Sequence, residues 1–196
     1  VKQPLDPEFA KNFLGGRGFA TKILWDTLKQ GTDPLSPDNK LIFATGPLTG
    51  IGLPNSGKLV IASKSPLTGG YGDGNSGSWA AVEIRKAGYD ALVIEGKAST
   101  PVILHIKDKS WEFLDAKDLW GKSSFEVEDQ LRKKYSKLAG IVSIGPAGEN
   151  LVRFAAIVGD EGHVAAHNGV GAVMGAKRLK AVAAARGTGE LKLHDS

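Results

Sequence analysis

Ile42-Phe43-Ala44-Thr45-Gly46-Pro47 and Val142-Ser143-Ile144-Gly145-Pro146 are two apolar strands of like character, each closed by the same Gly-Pro turn. Farther along, Asn75-Ser76-Gly77-Ser78-Trp79-Ala80-Ala81-Val82 leads through Lys86 to Ala91-Leu92-Val93. In the same way, Asn168-Gly169-Val170-Gly171-Ala172-Val173 leads through Lys177 to Ala181-Val182. Each stretch then closes on a glycine, Gly96 and Gly187. The shared unit reads strand, Gly-Pro turn, strand, glycine loop, helix, strand. Chance likeness between two segments rich in Gly and Ala is the alternative. The pattern predicts an α+β fold built as an internal duplication, with halves at about residues 40–98 and 139–187 and mainly antiparallel sheets.

Around these halves the chain offers clear punctuation. Asp6-Pro7 is a helix start, Asp capping and Pro at the first helical position, and Gly15-Gly16 ends that helix. A second helix is expected from Phe19 to Lys29, with Phe19, Ile23, Leu24 and Leu28 on one face. Lys58–Ser63 reads as a strand inside a glycine-rich tract that runs from Gly46 to Gly77, and Trp79 opens a helix that ends near Gly88. Between the halves, Val102–Ile106 and Trp111–Leu114 read as strands joined by a turn at Asp108-Lys109, and Ser123 with Glu126 can form a capping box for a helix from Ser124 to Tyr135. The second half is expected to run as strands 140–144 and 152–158, a glycine loop, a helix 168–179 and a strand 181–185.

Composition narrows the chemistry. Of the 196 residues 41% are hydrophobic and 23% charged, the balance of an ordinary globular protein, and no apolar run reaches the length of a membrane span. There is no cysteine, so neither a disulfide nor a thiolate-bound zinc or iron–sulfur cluster can form within the chain. That fits a cytoplasmic protein. The net charge of +4 favours an anionic ligand, whereas the scattered Lys and Arg, not interleaved with aromatics, argue against nucleic acid. Val1-Lys2-Gln3-Pro4 lacks an initiator Met and any signal peptide, which is expected of a trimmed fragment.

The glycines suggest what is bound. Thr68-Gly69-Gly70-Tyr71-Gly72-Asp73-Gly74-Asn75-Ser76-Gly77 precedes one helix and His163-Val164-Ala165-Ala166-His167-Asn168-Gly169 the other. Glycine lets backbone approach a ligand, and a helix start offers free N–H groups, so two phosphates are the expected guests. The plainer reading is two tight turns with Asn75 and Asn168 as caps. Two better-known phosphate motifs fail. Gly52-Leu53-Pro54-Asn55-Ser56-Gly57-Lys58 has P-loop spacing but is followed by Leu59, not Ser or Thr, and by a strand. Gly169–Gly175 is one residue longer than a dinucleotide fingerprint and has no acidic residue at the required distance. Of the four His residues (His105, His163, His167 and His194) only His163 and His167 lie close in sequence, and no third ligand completes a metal site. Asp160 and Glu161 read as solvated turn residues.

With these residues the sequence resembles the N-terminal domain of the aldehyde ferredoxin oxidoreductase family. The resemblance rests on LGGRGFA (14–20), DPLSPDNKLIFATGPLTG (33–50), GKLVIASKSPLTGGYGDGNSG (57–77) and AGYDALVIEGKA (87–98). It continues through LWGKSSFEVE (119–128), SIGPAGENLVRFAAIV (143–158) and NGVGAVMGAKRLKAV (168–182), in the family's order. The wording SPLTGGYGDGN looks most like the formaldehyde:ferredoxin branch. The resemblance implies a pterin-binding domain over residues 1–187, followed by a linker, 188–196, to further domains. It implies a base for a tungsten (or molybdenum) bis-pterin, with Mg joining the two pterin phosphates through the backbone carbonyls of Asn75 and Val164. Cofactor contacts would come from Lys58, Gly74, Asn75, Ser76, Gly77, His163, Val164, Ala165 and His167. Lys58, His163 and His167 stand where the family has Arg, and Val164 where it has Ala, so the phosphates would be contacted by other donors. No catalytic residue is expected within this chain.

The implied parent enzyme oxidises small aldehydes to carboxylic acids. It passes electrons through a 4Fe-4S cluster, ligated outside this chain, to ferredoxin, and is a homo-oligomer. A non-catalytic pterin- or phosphate-binding scaffold and a family enzyme with a non-aldehyde substrate are the alternatives. The chain alone is expected to be inactive, with mobile loops around 68–77 and 160–169.

Overall fold

The computed structural model describes residues 1–185 and 187–191. Among these residues two sheets and six α-helices alternate in layers. Helices α1 (Pro7–Phe13) and α2 (Arg17–Thr27) cover the outer face of a four-stranded sheet of β1 (Leu41–Thr45), β2 (Lys58–Lys64), β3 (Tyr71–Gly77) and β4 (Ala91–Ile94). On the other side of that sheet lie α3 (Trp79–Lys86) and α6 (Val170–Ala176), the latter lying across the short helix α5 (Pro146–Glu149). The second sheet contains β5 (Val102–Lys107), β6 (Ser110–Asp115), β7 (Gly140–Ser143), β8 (Ile157–Gly159), β9 (His163–Ala165) and β10 (Leu179–Ala184). Helix α4 (Ser124–Lys134) backs its outer face.

The layering follows from the strands. Leu41 and Phe43 point into the central core with Leu59, Ile61, Ile84, Val142 and Val182, while Ile42 and Ala44 point outward against Phe19 and Leu24. A strand buried on both faces reads as a continuous apolar run, which is why LIFAT lacks polar alternation. The capping box at Ser123 and Glu126 is present, and Asp6 caps α1 with Pro7 at its first position.

The fold is mixed α+β and mainly antiparallel; among the described residues only β5 with β10 runs parallel. The two halves are wired alike. The first sheet has the order β3-β2-β1-β4, and the matching strands of the second have the order β9-β8-β7-β10, with every pairing antiparallel in both. In each, a three-strand meander is followed by a helix and a fourth strand that returns beside the first. The hairpin β5–β6 and α4 are inserted between the halves.

Three expectations differ from the structure. Residues 71–77, expected in a loop, form β3, paired with β2 along its whole length from Tyr71↔Lys64 to Gly77↔Lys58. Its glycines mark close approach to another chain segment, not chain reversal: a Cβ on Gly74 would lie 2.9 Å from Ala165 Cα, and one on Gly72 would lie 2.7 Å from Asn168 Cβ. The expected strand 152–158 is present only as Ile157–Gly159, because Pro146 starts α5 and the chain from Val152 to Ala156 crosses beneath α6. The helix expected over 168–179 is shorter, Val170–Ala176, because Arg178 takes a left-handed conformation before β10.

The C-terminal stretch 187–191 packs on the domain. The Gly187 amide donates to Glu83, the Thr188 amide to Asp108, and Leu191 sits beside Gly50. The rest of the expected linker, 192–196, and with it His194, lies outside the described residues.

Candidate functional site

β3 and β9 each lie at one edge of their sheet, and they face one another across the contact of Gly74 with Ala165. An antiparallel edge strand leaves alternate backbone groups without a strand partner. The registers set two residues at matching places on these edges. Asn75 lies opposite Val60, Val60 opposite Ala44, and Ala44 opposite Ala91. Val164 lies opposite Val158, Val158 opposite Ser143, and Ser143 opposite Ala181. Ala44 and Ser143 each stand two residues before the Gly of a Gly-Pro turn. Asn75 is therefore level with Val164, not with Asn168 as the sequence repeat aligns it. Counted from the matched residue to the first residue of the helix, the second half spends two more residues, Val164 to Val170 against Asn75 to Trp79.

The residues singled out from sequence divide by depth. Lys58, Asn75, His163, Val164 and His167 are exposed, and Gly77 is half-buried. Gly74, Ser76 and Ala165 are buried: Gly74 and Ala165 are the point where the two edges touch, and the Ser76 side chain turns inward. Gly77 forms the floor of a small cradle, since a Cβ there would lie 3.2 Å from His163 Nδ1 and 3.6 Å from Lys58 Nζ. Lys58 is the register partner of Gly77, so β2 and β9 each bring one nitrogen-bearing side chain to it. His167 has a left-handed backbone (φ 76) on the same loop. Asn168 belongs to the scaffold: its amide donates to Asp73 O, and its carbonyl accepts from the Ser65 hydroxyl at 2.7 Å. Among the described residues no group of three or more His, Cys, Asp or Glu side chains is placed to hold a metal ion. Backbone carbonyls on the two edges are donors the chain can offer instead.

The helix starts, expected to receive phosphate, are already occupied. Ser78, not Asn75, caps α3, and the Asp160 carboxylate accepts from the Ser78 hydroxyl at 2.7 Å and from the Ala80 amide at 3.3 Å. An anion from the protein itself therefore holds the positive end of that helix. Gly169, not Asn168, precedes α6. The Gly171 amide donates to Ala155 O at 2.9 Å, and a Cβ on Gly169 would lie 1.9 Å from Arg153 O. Nothing larger than backbone fits there. Lys58 and His163 on the strand edges stay exposed, whereas the residues capping the two helix starts do not.

Glu161 is a solvated turn residue, its side chain 83% exposed, but Asp160 is not. Asp160 is 5% exposed, and its second oxygen accepts from Arg132 Nη2 at 3.0 Å. Arg132 also contacts Glu128 and Glu161, each at 3.0 Å, and the Glu161 amide donates to Glu128 at 3.1 Å. Burial pushes the Glu128 carboxyl above its ordinary value, against the amide of Glu161 and the charge of Arg132. No periodicity announces this network, because its members lie on α4, on the β8–β9 turn and at the α3 cap. The left-handed run Asp160-Glu161-Gly162 (φ 46, 65 and 112) turns Asp160 inward, a feature of the structure that the sequence does not show.

The family model described as "Aldehyde ferredoxin oxidoreductase, N-terminal domain" matches residues 1–186. The chain belongs to the aldehyde ferredoxin oxidoreductase family. A tungsten-containing aldehyde ferredoxin oxidoreductase of Pyrococcus furiosus is 51% identical over 91% of this chain and 30% of its own length. In the same organism an aliphatic sulfonate oxidoreductase, WOR-like subunit, is 42% identical over 95% of the chain and 32% of its own length. Among solved structures, the active site complex BamBC of benzoyl coenzyme A reductase superposes with a TM-score of 0.90 at 37% identity, over 96% of this chain and 29% of that one. The chain thus spans about 30% of the length of these family members.

Proposed function

We propose that this chain is the base for a tungsten bis-pterin cofactor in an oxidoreductase that converts aldehydes to carboxylic acids and passes electrons through a 4Fe-4S cluster to ferredoxin. The observation that carries the reading is the matched register of Asn75 and Val164 on two facing edge strands. Two like ligands joined by one cation need two like half-sites, and a duplicated unit supplies them; the common wiring of the halves supports that descent. The names of the tungsten-containing relatives support the metal, the aldehyde and ferredoxin.

When bound, the cofactor supplies oxygen- and electron-transfer chemistry, and the chain binds and orients it. The residues present fit such a group. The Asn75 and Val164 carbonyls, one from each half, would hold Mg. Lys58 and His163 would meet a phosphate over the Gly77 cradle, where a side chain would block approach, and His167 stands on the same loop for the second. Gly74 and Ala165 keep the two edges in contact. With no cysteine in the chain, thiolate ligands for a cluster would have to come from outside it. No described helix is long and apolar enough to cross a membrane.

Metal and pterin analysis of the intact protein, beside Lys58→Ala and His163→Ala, tests the reading. Tungsten, magnesium and pterin are expected in the parent and reduced in both variants. Full content in both variants would remove these side chains from the site, and none in the parent would remove the reading. A second reading concerns substrate alone. Members named for an aliphatic sulfonate and for benzoyl coenzyme A share this domain at 42% and 37% identity, which supports a non-aldehyde substrate as readily. An aldehyde panel with a viologen acceptor separates the two.

A further inference from the structure

The contact between the two edges is small, yet the spacing of the Asn75 and Val164 carbonyls must be held to a fraction of an ångström for one cation to bridge them. Gly74 against Ala165 sets how closely the edges can approach, but it does not set their slide or rotation. Asn168, donating to Asp73 O, ties β3 to the loop after β9, so a further tie is needed where the chain enters β9. Asp160 stands four residues before Val164, in the left-handed turn that feeds β9, and its Oδ2 accepts from Ser78 and Ala80, immediately after β3. Its Oδ1 is held by Arg132 of α4, which also grips Glu128 and Glu161.

We propose that Asp160 is the positioning residue that fixes the two ligand-bearing strands relative to each other. One carboxylate oxygen holds the segment after β3; the other is anchored through Arg132 to α4, the helix packed on β7 and β8. The inference rests on the cofactor reading above, but it names residues that do not touch the cofactor. A carboxylate suits the task because both oxygens accept, and three donors converge on it. Asparagine fits less well: with its oxygen toward Ser78 its amide meets Arg132 donor to donor, and with its oxygen toward Arg132 it no longer accepts from Ala80 and the Ser78 hydroxyl must turn from donor to acceptor.

The test uses the intact, cofactor-loaded protein and follows magnesium loss to excess EDTA at a temperature where every variant is fully folded. Asp160→Asn is expected to release magnesium at least tenfold faster than the parent. A control, Leu119→Ala, perturbs the core between α4 and the far strands of the second sheet; it is expected to lower thermal stability while releasing magnesium at the parent's rate. Should Asp160→Asn not fold, Ser78→Ala removes the hydroxyl bridge, together with one of the two acceptors at the Ala80 N–H, and is expected to accelerate release about threefold. Unchanged release in the folded aspartate or serine variant overturns the inference, as does acceleration in the leucine control equal to that in the variants. Absence of magnesium and pterin from the parent overturns the cofactor reading, and this inference with it; full content in the parent with unchanged release overturns this inference alone.

Discussion

Lys177 ends the helix α6 and is 2% exposed, with its ammonium donating to the carbonyls of Pro37 and Gly96 at 3.2 and 3.1 Å and to that of Asn39. One side chain thus ties the second half to two loops of the first. Burial pushes its pKa down to about 8, the nearby Glu95 only partly opposing. Because the folded value lies below the ordinary 10.5, the unfolded chain binds more protons between those two pH values. The contribution of Lys177 to stability therefore rises with pH across that window, by up to ~1 kcal/mol per pH unit. Urea midpoints of the parent and Lys177→Met, compared from pH 7 to 10, should show the difference shifting in the parent's favour as pH rises; a constant difference would refute this. Lys58 and His163 belong to the same scale. Each alanine substitution removes one donor from the Gly77 cradle and should weaken cofactor retention roughly tenfold, about the value of one charge-assisted hydrogen bond. Equilibrium dialysis of released pterin against tungsten content measures it.

At the scale of elements, the glycines explain both what the sequence made legible and what it hid. Strands β1, β2, β4, β5 and β6 and the helices α1, α3 and α4 follow from apolar runs, caps and turns, and they lie where those signals put them within a residue or two. β3 did not, because YGDGNSG has the composition of a loop. Only the backbone of the partner edge, seen in three dimensions, shows why a strand needs glycines there. The same holds for α6. Gly171 and Gly175 look like part of a nucleotide fingerprint, but they let α6 lie on backbone: a Cβ on Gly175 would fall 2.0 Å from Gly148 O, and one on Gly171 2.4 Å from Ala156 O. Gly175→Val should destabilise the domain by about 3 kcal/mol, at the upper end of overpacking, read as a fall in the urea midpoint. A shift under a third of that would mean α5 can move aside. The carboxylate–arginine network around Asp160 was illegible for a different reason: its partners are separated by 28 and 82 residues, and charged residues at turns ordinarily face water.

At the scale of the whole molecule, the sequence repeat pointed to paired half-sites but aligned them wrongly at one end. Asn75 and Asn168 match by letter, whereas the strand registers match Asn75 with Val164. That change moves the candidate site from helix starts, which the protein fills with Asp160 and with its own backbone, to the facing edges of two sheets. The cysteine-free chain should show no aldehyde-dependent viologen reduction on its own even when loaded with tungsten and pterin, because it offers no cluster ligands; activity in the isolated chain would contradict that division of labour. The paired-edge account itself is tested most directly by stoichiometry. Anaerobically purified intact protein should contain two pterins and one magnesium for each tungsten, one pterin for each half and one cation between them. A single pterin per tungsten, or pterin without magnesium, would contradict it.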